Sequence, residues 1–350
     1  MREPHRPLVC VRPPGWTHAQ AQPFKALMTW VQRAEVLGFD GVFVGDRLLS
    51  EASRAGEVVY GATMLDALVT LSAIAASTEK ILLGPLVLVF PFRHPIQLAK
   101  SVASLDVVSG GRVVLGAGIG WSETEFSALG VPRLGRGEMF EEELAVVRRL
   151  WQGRPVDHHG ENWSFEDVMI SPSPVQRGGP PVWLASFSPG QALDWSGGGL
   201  PTAASRVLDR VGRLADGWVP LIYSASSKRR LDADTLAEAW MQVLAAAARS
   251  GRTRENIDFV FSDWCYVLDG HGSERRCREA LRGFFNGTWE EALRTYTIGS
   301  RSEVLEKTKA HVRGIDRVDA YIFTPLGDEI EQLDELAHVA SELRGSPAGG

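Results

Sequence analysis

A chain of 350 residues, 44% hydrophobic and 23% charged, has the make-up of a folded globular protein and can bury a large core, here read as one domain over 1–350. A net charge of −6 provides no basic stripe to neutralise phosphates, which argues against a nucleic-acid partner, and three scattered cysteines (Cys10, Cys265, Cys277) exclude a disulfide framework or a metal knuckle. The stretch before Trp16 has no signal-peptide core, and the longest apolar run, Ile81 to Phe92, is broken by proline and too short for a bilayer, so a cytoplasmic protein without a membrane partner is expected.

In chain order, Leu8 to Val11 reads as an opening strand. Leu27, Trp30, Val31, Ala34 and Leu37 then share a helical face that stops at Gly38. Gly41 to Gly45 is a short buried strand ending at Asp46. Leu65 to Ala76 is a helix, Ile81 to Val89 a continuous apolar strand, and Pro95 opens a helix that ends at the Ser109-Gly110-Gly111 turn. Val113 to Ala117 is a strand, and Glu138 to Trp151 is a helix with Phe140, Leu144, Val147 and Trp151 on one side. Strands follow at Pro181 to Ala185, Gly217 to Leu221, Asp258 to Leu268 and Ala320 to Thr324. Helices at Ala203 to Leu214, Leu231 to Ala248, Glu274 to Phe285 and Ser302 to Val312 separate them. Eight near-continuous apolar strands alternating with helices predict a parallel (β/α)8 TIM barrel. Two irregular stretches, 118–181 and 188–201, follow strand ends and are read as long loops at the carboxyl face of that barrel.

Functional groups of such barrels come from the carboxyl ends of the strands. The chain has no His-Glu-x-x-His, no Gly-x-Ser-x-Gly elbow and no P-loop there. Gly116, Gly118 and Gly120 miss the dinucleotide fingerprint and are read as glycines that let a strand end pack closely. His158 and His159 are adjacent, a surface pair rather than metal ligands, and no metal is expected. Asp46 beside Arg47, and Glu123 with Glu125, are acid–base candidates; equally, Asp46 could cap its loop and the glutamates could be solvated. A mouth lined by Trp121, Phe187, Phe90, Phe92 and Trp218 suits a flat aromatic cofactor that carries the reactivity itself.

The segments LGPLVLVFPFRHPIQLAK (83–100) and ASLDVVSGGRVVLGAGIGWSETEF (103–126) closely resemble the luciferase-like monooxygenases. So do Leu150-Trp151, Pro180-Pro181-Val182-Trp183 and Ala215-Asp216-Gly217-Trp218, in the same order. The resemblance implies reduced FMN or the deazaflavin coenzyme F420 at the barrel mouth. It places Leu86-Val87 where deazaflavin-using relatives carry a non-prolyl cis peptide against the ring, Asp46 at the acidic position closing the second strand, and Thr124 near the ring edge. It places Ser186, Phe187 and Ser188 in the phosphate loop after the fifth strand. Three positions depart from the pattern: Arg47 replaces a histidine, Trp121 a catalytic glutamate, and Ala185-Ser186 a glycine pair. Losing both proton-transfer groups argues against simple alcohol dehydrogenation. The leading reading is therefore a monooxygenase that uses reduced FMN and dioxygen on a medium-sized, partly apolar small molecule. In it Arg47 and His94 are the candidates to contact cofactor or activated oxygen, Trp121 lines the cofactor, and a separate flavin reductase is a candidate partner. A deazaflavin-dependent reductase or dehydrogenase is the alternative, and a non-catalytic flavin-binding barrel a third. Relatives commonly pair as homodimers.

Overall fold

The computed structural model describes residues 6–14, 23–49, 64–189, 202–224, 229–269, 272–282 and 285–345. Every predicted strand forms. They are β1 (Leu8–Val11), β2 (Gly41–Val44), β3 (Leu82–Pro85) continued by β4 (Leu88–Val89), β5 (Leu115–Gly118), and, after a β-hairpin of β6 (Val156–His159) and β7 (Ser164–Val168), β8 (Val182–Ser186) and β9 (Gly217–Pro220). A second small hairpin, β10 (Tyr223–Ser224) and β11 (Arg229–Arg230), precedes β12 (Asp258–Val267), β13 (Thr297–Gly299) and β14 (Ala320–Pro325). With β3 and β4 counted as one interrupted strand, and the short β13 as an addition beside β12, eight parallel strands alternate with helices, which is the (β/α)8 class.

The chain divides into two compact units, and the division falls inside β2 and β8. The first comprises the described residues up to Phe43 and from Trp183 onward. Its parallel ladder runs through β1, which pairs Cys10 with Gly41 on one side and with Ile322 on the other. From β14 the ladder passes to β12 through Asp263 and Phe323, and β8 meets β9 at Trp183 and Gly217. That last contact explains two of the sequence words. A Cβ on Gly217 would lie 2.3 Å from the Trp183 ring, so only glycine lets the indole cross the strand, and the Trp183 Nε1–H donates to Asp258 Oδ2 at 3.1 Å. Burial beside Asp319 pushes the Asp258 carboxyl up to about 6.

The second unit comprises Val44–Leu49 and Met64–Val182. Here α2 (Ala67–Ser77), α3 (Pro95–Ser109), α4 (Glu123–Leu129) and α5 (Arg136–Leu150) flank β3, β4 and β5. The Ser109-Gly110-Gly111-Arg112 turn has a mechanical role. Gly110 closes α3 at φ 69°, and the Arg112 guanidinium donates to Thr78 Oγ1 and to the carbonyls of Ala75, Thr78, Ile81 and Ser109, capping the end of α2. Trp151 is buried and its Nε1–H donates to Ala99 O at 3.1 Å, locking α5 to α3.

Two expectations change. The strand read as continuous from Ile81 to Val89 is split at Leu86-Val87 into β3 and β4, and the Val89 amide at the end of β4 donates to the Asp46 carboxylate. The long loop from 118 to 181 contains α4 and the β6–β7 hairpin, and His158 in that hairpin bonds Glu142 at 2.8 Å. Most of the second irregular stretch, from 190 to 201, lies outside the described residues. Among the described residues no helix is long and apolar enough to cross a membrane.

Candidate active site

The second strand ends in the second unit, where Asp46 receives three hydrogen bonds from one neighbouring segment, Val89 to Arg93. Arg93 Nη1 donates to Oδ2 at 2.7 Å and Nη2 to Oδ1 at 2.9 Å, a forked pair, and Val89 N donates to Oδ2 at 3.0 Å. Arg93 Nη1 also donates to Val89 O at 3.1 Å, so both polar groups of Val89 are held by the same ion pair. Asp46 is 1% exposed and Arg93 13%, so the pair is desolvated. Asp46 thus neither caps its own loop nor stands as a free base; it clamps the end of the third strand. The Leu86-Val87 peptide in that strand is cis, at the position the resemblance assigned, with Leu86 N donating to Val44 O at 2.6 Å. The facing strand is glycine for a steric reason. A Cβ on Gly116 would lie 2.1 Å from Pro85 O, and one on Gly118 2.5 Å from Val87 Cγ2.

Around this edge the charged groups are committed. The Arg47 guanidinium lies 5.1 Å over the Trp121 ring and its Nε donates to Leu49 O at 2.9 Å. Glu125, buried on α4, accepts from Leu48 N at 2.8 Å and Leu49 N at 3.1 Å, so it fixes the loop after Asp46 and is not solvated. Glu123 is exposed and reaches Arg133 at 3.7 Å. Thr124 sits exposed in the first turn of α4. His94 is the N-cap of α3: its Nδ1 accepts from Ile96 N at 3.3 Å, and its ring meets Trp163 edge-on.

The aromatic lining expected from the sequence is largely core. Trp218, Phe90 and Phe187 are fully buried: Trp218 stacks on Trp240, Phe90 packs on Phe140, and Phe187 packs on Trp218. Phe92 is half-buried with its ring edge against Phe126, while Trp121 is 63% exposed. Apolar rings near strand ends bury against neighbouring elements wherever those elements cover them.

Two groups escaped sequence reading. Arg93 stood inside a recognised segment, but nothing local assigned it to Asp46, 47 positions away. Glu143 belongs to the buried side of α5 with Phe140, Leu144 and Val147, and it is fully buried with neither carboxylate oxygen bonded among the described residues. A carboxyl interrupting an apolar helical stripe was the available signal. Burial pushes its pKa up to about 9, with the Arg93 charge pulling the other way.

In the first unit, Ser186 closes β8, and its hydroxyl is buried with no partner among the described residues. Phe187 follows at φ 66° and its carbonyl accepts from Leu221 N at 3.0 Å; Ser188 is half-buried. An orphaned hydroxyl on a turn at a strand end fits an oxyanion of a cofactor phosphate. In the same unit Asp263, on β12, is buried and bonded by Arg230, by Thr297 Oγ1 at 2.6 Å and by its neighbour's amide, Trp264 N.

The chain is 31% identical over 230 residues to an F420-dependent glucose-6-phosphate dehydrogenase of Microbacterium testaceum, covering 64% of this chain and 59% of that protein. It is 33% identical over 118 residues to the oxygenase component of a flavin-dependent trigonelline monooxygenase of Acinetobacter baylyi, covering 33% and 32%. The match therefore spans about three fifths of the first relative and a third of the second. The structure of a monooxygenase from Streptomyces bottropensis superposes with a TM-score of 0.73 at 20% identity, over 96% of this chain and 98% of that one, which establishes the shared fold. The profile described as "Luciferase-like monooxygenase" matches residues 8–197, and the chain belongs to that family of oxidoreductases.

Proposed function

We propose that the protein is a flavin-dependent monooxygenase that takes reduced FMN and dioxygen and oxygenates a medium-sized, partly apolar small molecule. The observation that carries this reading is the commitment of the strand-end carboxylates. Asp46 is held by Arg93, Glu125 by two backbone amides and Asp263 by Arg230. Dehydrogenation of an alcohol needs a base free to accept the hydroxyl proton, and none of these three is free. Bound FMN would supply the electron pair, so that one oxygen atom enters the substrate and the other leaves as water. The chain's own residues then bind, orient and exclude water. The edge at Leu86 and Val87 is the support assigned to the ring. Arg47 over the exposed Trp121 meets the substrate side, while His94 serves α3 as its cap. A separate reductase supplies reduced FMN, and the protein works as a cytoplasmic homodimer.

The second reading, hydride transfer with coenzyme F420, is favoured by the cofactor that the glucose-6-phosphate dehydrogenase relative is named for. Anaerobic titration of the purified protein with reduced FMN and with reduced F420, followed by fluorescence, separates the two. Tighter binding of reduced FMN, with oxygen uptake in the presence of small aromatic or terpenoid probes, supports oxygenation. Preference for F420 without oxygen uptake replaces it with hydride transfer.

A further inference from the structure

In the first unit, Arg230 of β11 fastens the β10–β11 hairpin to the strands beside it. Its Nη1 donates to Asp263 Oδ1 at 3.0 Å and to Thr295 O at 2.8 Å, and Nη2 donates to Asp263 Oδ2 and to Thr297 Oγ1 at 3.3 Å. The remaining N–H, at Nε, donates to His311 Nε2 at 2.7 Å. All five donors of the guanidinium are thus committed, and the fifth is held by the last residue of the helix Arg301–His311.

These contacts fix the state of the imidazole. An arginine N–H only donates, so His311 Nε2 presents a lone pair; the Lys307 carbonyl only accepts, so Nδ1, 2.8 Å from it, carries the hydrogen. The ring is neutral, in one tautomer, with both nitrogens used. A second proton has to enter at Nε2, where it meets the Arg230 N–H, and a hydrogen bond becomes a contact between two cations. Asp263, Arg230 and His311 sum to zero charge with the ring neutral and to +1 with it protonated. The other charges nearby are engaged. Asp263 of β12 is shared by Arg230 and Thr297, β13 carries no ionisable side chain, and Lys307 donates to Ile298 O at 2.6 Å. On the helix Ala233–Arg249, Asp234 meets Arg313 at 3.3 Å and Asp232 caps the first turn through Thr235 N. Glu335 of the final helix, Glu331–Gly345, pairs with Arg301 at the far end of the helix that carries His311, and Arg229 of β11 is exposed. Burial and then the Arg230 charge hold the imidazole below its ordinary range, against the Lys307 carbonyl and Asp263.

The weaker element has to yield. Strands β10 and β11 have two residues each and pair only Tyr223 with Arg230 and Ser224 with Arg229, whereas His311 belongs to an eleven-residue helix and its ring packs on Phe261. At the base of the hairpin, Leu231 N donates to Ile222 O at 2.8 Å and Leu221 N to Phe187 O at 3.0 Å, so a loosened hairpin reaches the turn after β8.

We propose that His311 and Arg230 form a pH-sensitive latch: the neutral imidazole holds Arg230 in place on β12 and β13, and a proton at Nε2 releases β11 and frees the hairpin base beside Phe187. His311 acts through Arg230 as a positioning residue, whichever cofactor the barrel takes.

The test follows hydrogen exchange of the purified full chain at the Leu221 and Leu231 amides from pH 8 to pH 5, each rate divided by the intrinsic rate at that pH. The expected wild-type protection is constant above the ordinary histidine value of about 6.5 and falls by up to about tenfold per pH unit below it. In His311→Gln, whose amide oxygen accepts from Arg230 and takes no proton, protection stays flat. Nitrogen-15 NMR of histidine-labelled protein is the second measurement. The ring signal missing from His311→Gln shows the Nδ1–H tautomer at neutral pH, and in Arg230→Gln the His311 ring titrates at higher pH than in the wild type. That shift decides the matter if the glutamine at 311 prevents folding, because the ring can be followed by itself. Flat wild-type protection, an equal fall in wild type and His311→Gln, the opposite tautomer, or a His311 titration indifferent to Arg230→Gln each overturn the latch.

Discussion

The Asp46–Arg93 pair offers the sharpest test of the site, through Asp46→Asn. The asparagine keeps the size of the side chain and an oxygen for the Val89 amide, so what it removes is the charge and the fork. Arg93 is then left a cation that is 13% exposed, with Val89 O as its remaining acceptor of those now present. Breaking a buried pair in this way costs roughly 3–5 kcal/mol, against about 0–1 kcal/mol for a pair in solvent. For a chain of this length the larger figure corresponds to a fall in Tm of about 4–7 °C, measurable by calorimetry. A cost below about 1 kcal/mol would show that the pair behaves as a solvated one.

Three other substitutions, with one control, probe different parts of the structure. Glu143 has a folded-state pKa of about 9, above its ordinary 4.5, so its contribution to stability is full below about 4.5 and is lost as pH rises towards 9. Denaturant unfolding should show stability declining through that window, with a ceiling on the order of 6 kcal/mol, and Glu143→Gln should flatten the decline; parallel curves would refute the assignment. Gly116→Ala places a methyl group 2.1 Å from Pro85 O, backbone that cannot turn aside, and should cost roughly 1–3 kcal/mol and weaken FMN binding. Gly345→Ala, which meets nothing within 4 Å, is the control that should leave both unchanged. Ser186→Ala removes an orphaned hydroxyl, so the cofactor-free protein should keep its Tm while FMN affinity falls roughly 2–10-fold and riboflavin affinity does not change. Equal losses for FMN and riboflavin would take the phosphate away from Ser186.

Much of the architecture was legible in local pattern. Apolar runs such as Gly41 to Gly45 and Ala320 to Thr324 read as strands buried on both faces, and they form as Gly41–Val44 and Ala320–Pro325. Gly110 and Pro95 marked helix ends because φ > 0 and a missing amide are tolerated there and rarely elsewhere. The glycines of β5 were legible as close-packing positions, although not what they pack against. The hairpin at 156–168 was not legible, since its strands are half polar and draw their order from Glu142 on a neighbouring helix.

The division follows from the range of the forces involved. Backbone preferences and hydrophobic period act over a few residues, so the sequence by itself determined the eight alternating strands and helices and the family words carried on them. Whether a charged group is free, paired or neutral depends on what lies across space, and only the tertiary structure decided that. It joined Asp46 to Arg93, took Glu125 for the amides of Leu48 and Leu49, and enclosed Glu143 where water cannot reach it. It also drew Trp218, Phe90 and Phe187 into the core, because a ring at a strand end is lining or filler according to the element that covers it, and that cover is set by residues far away in the chain.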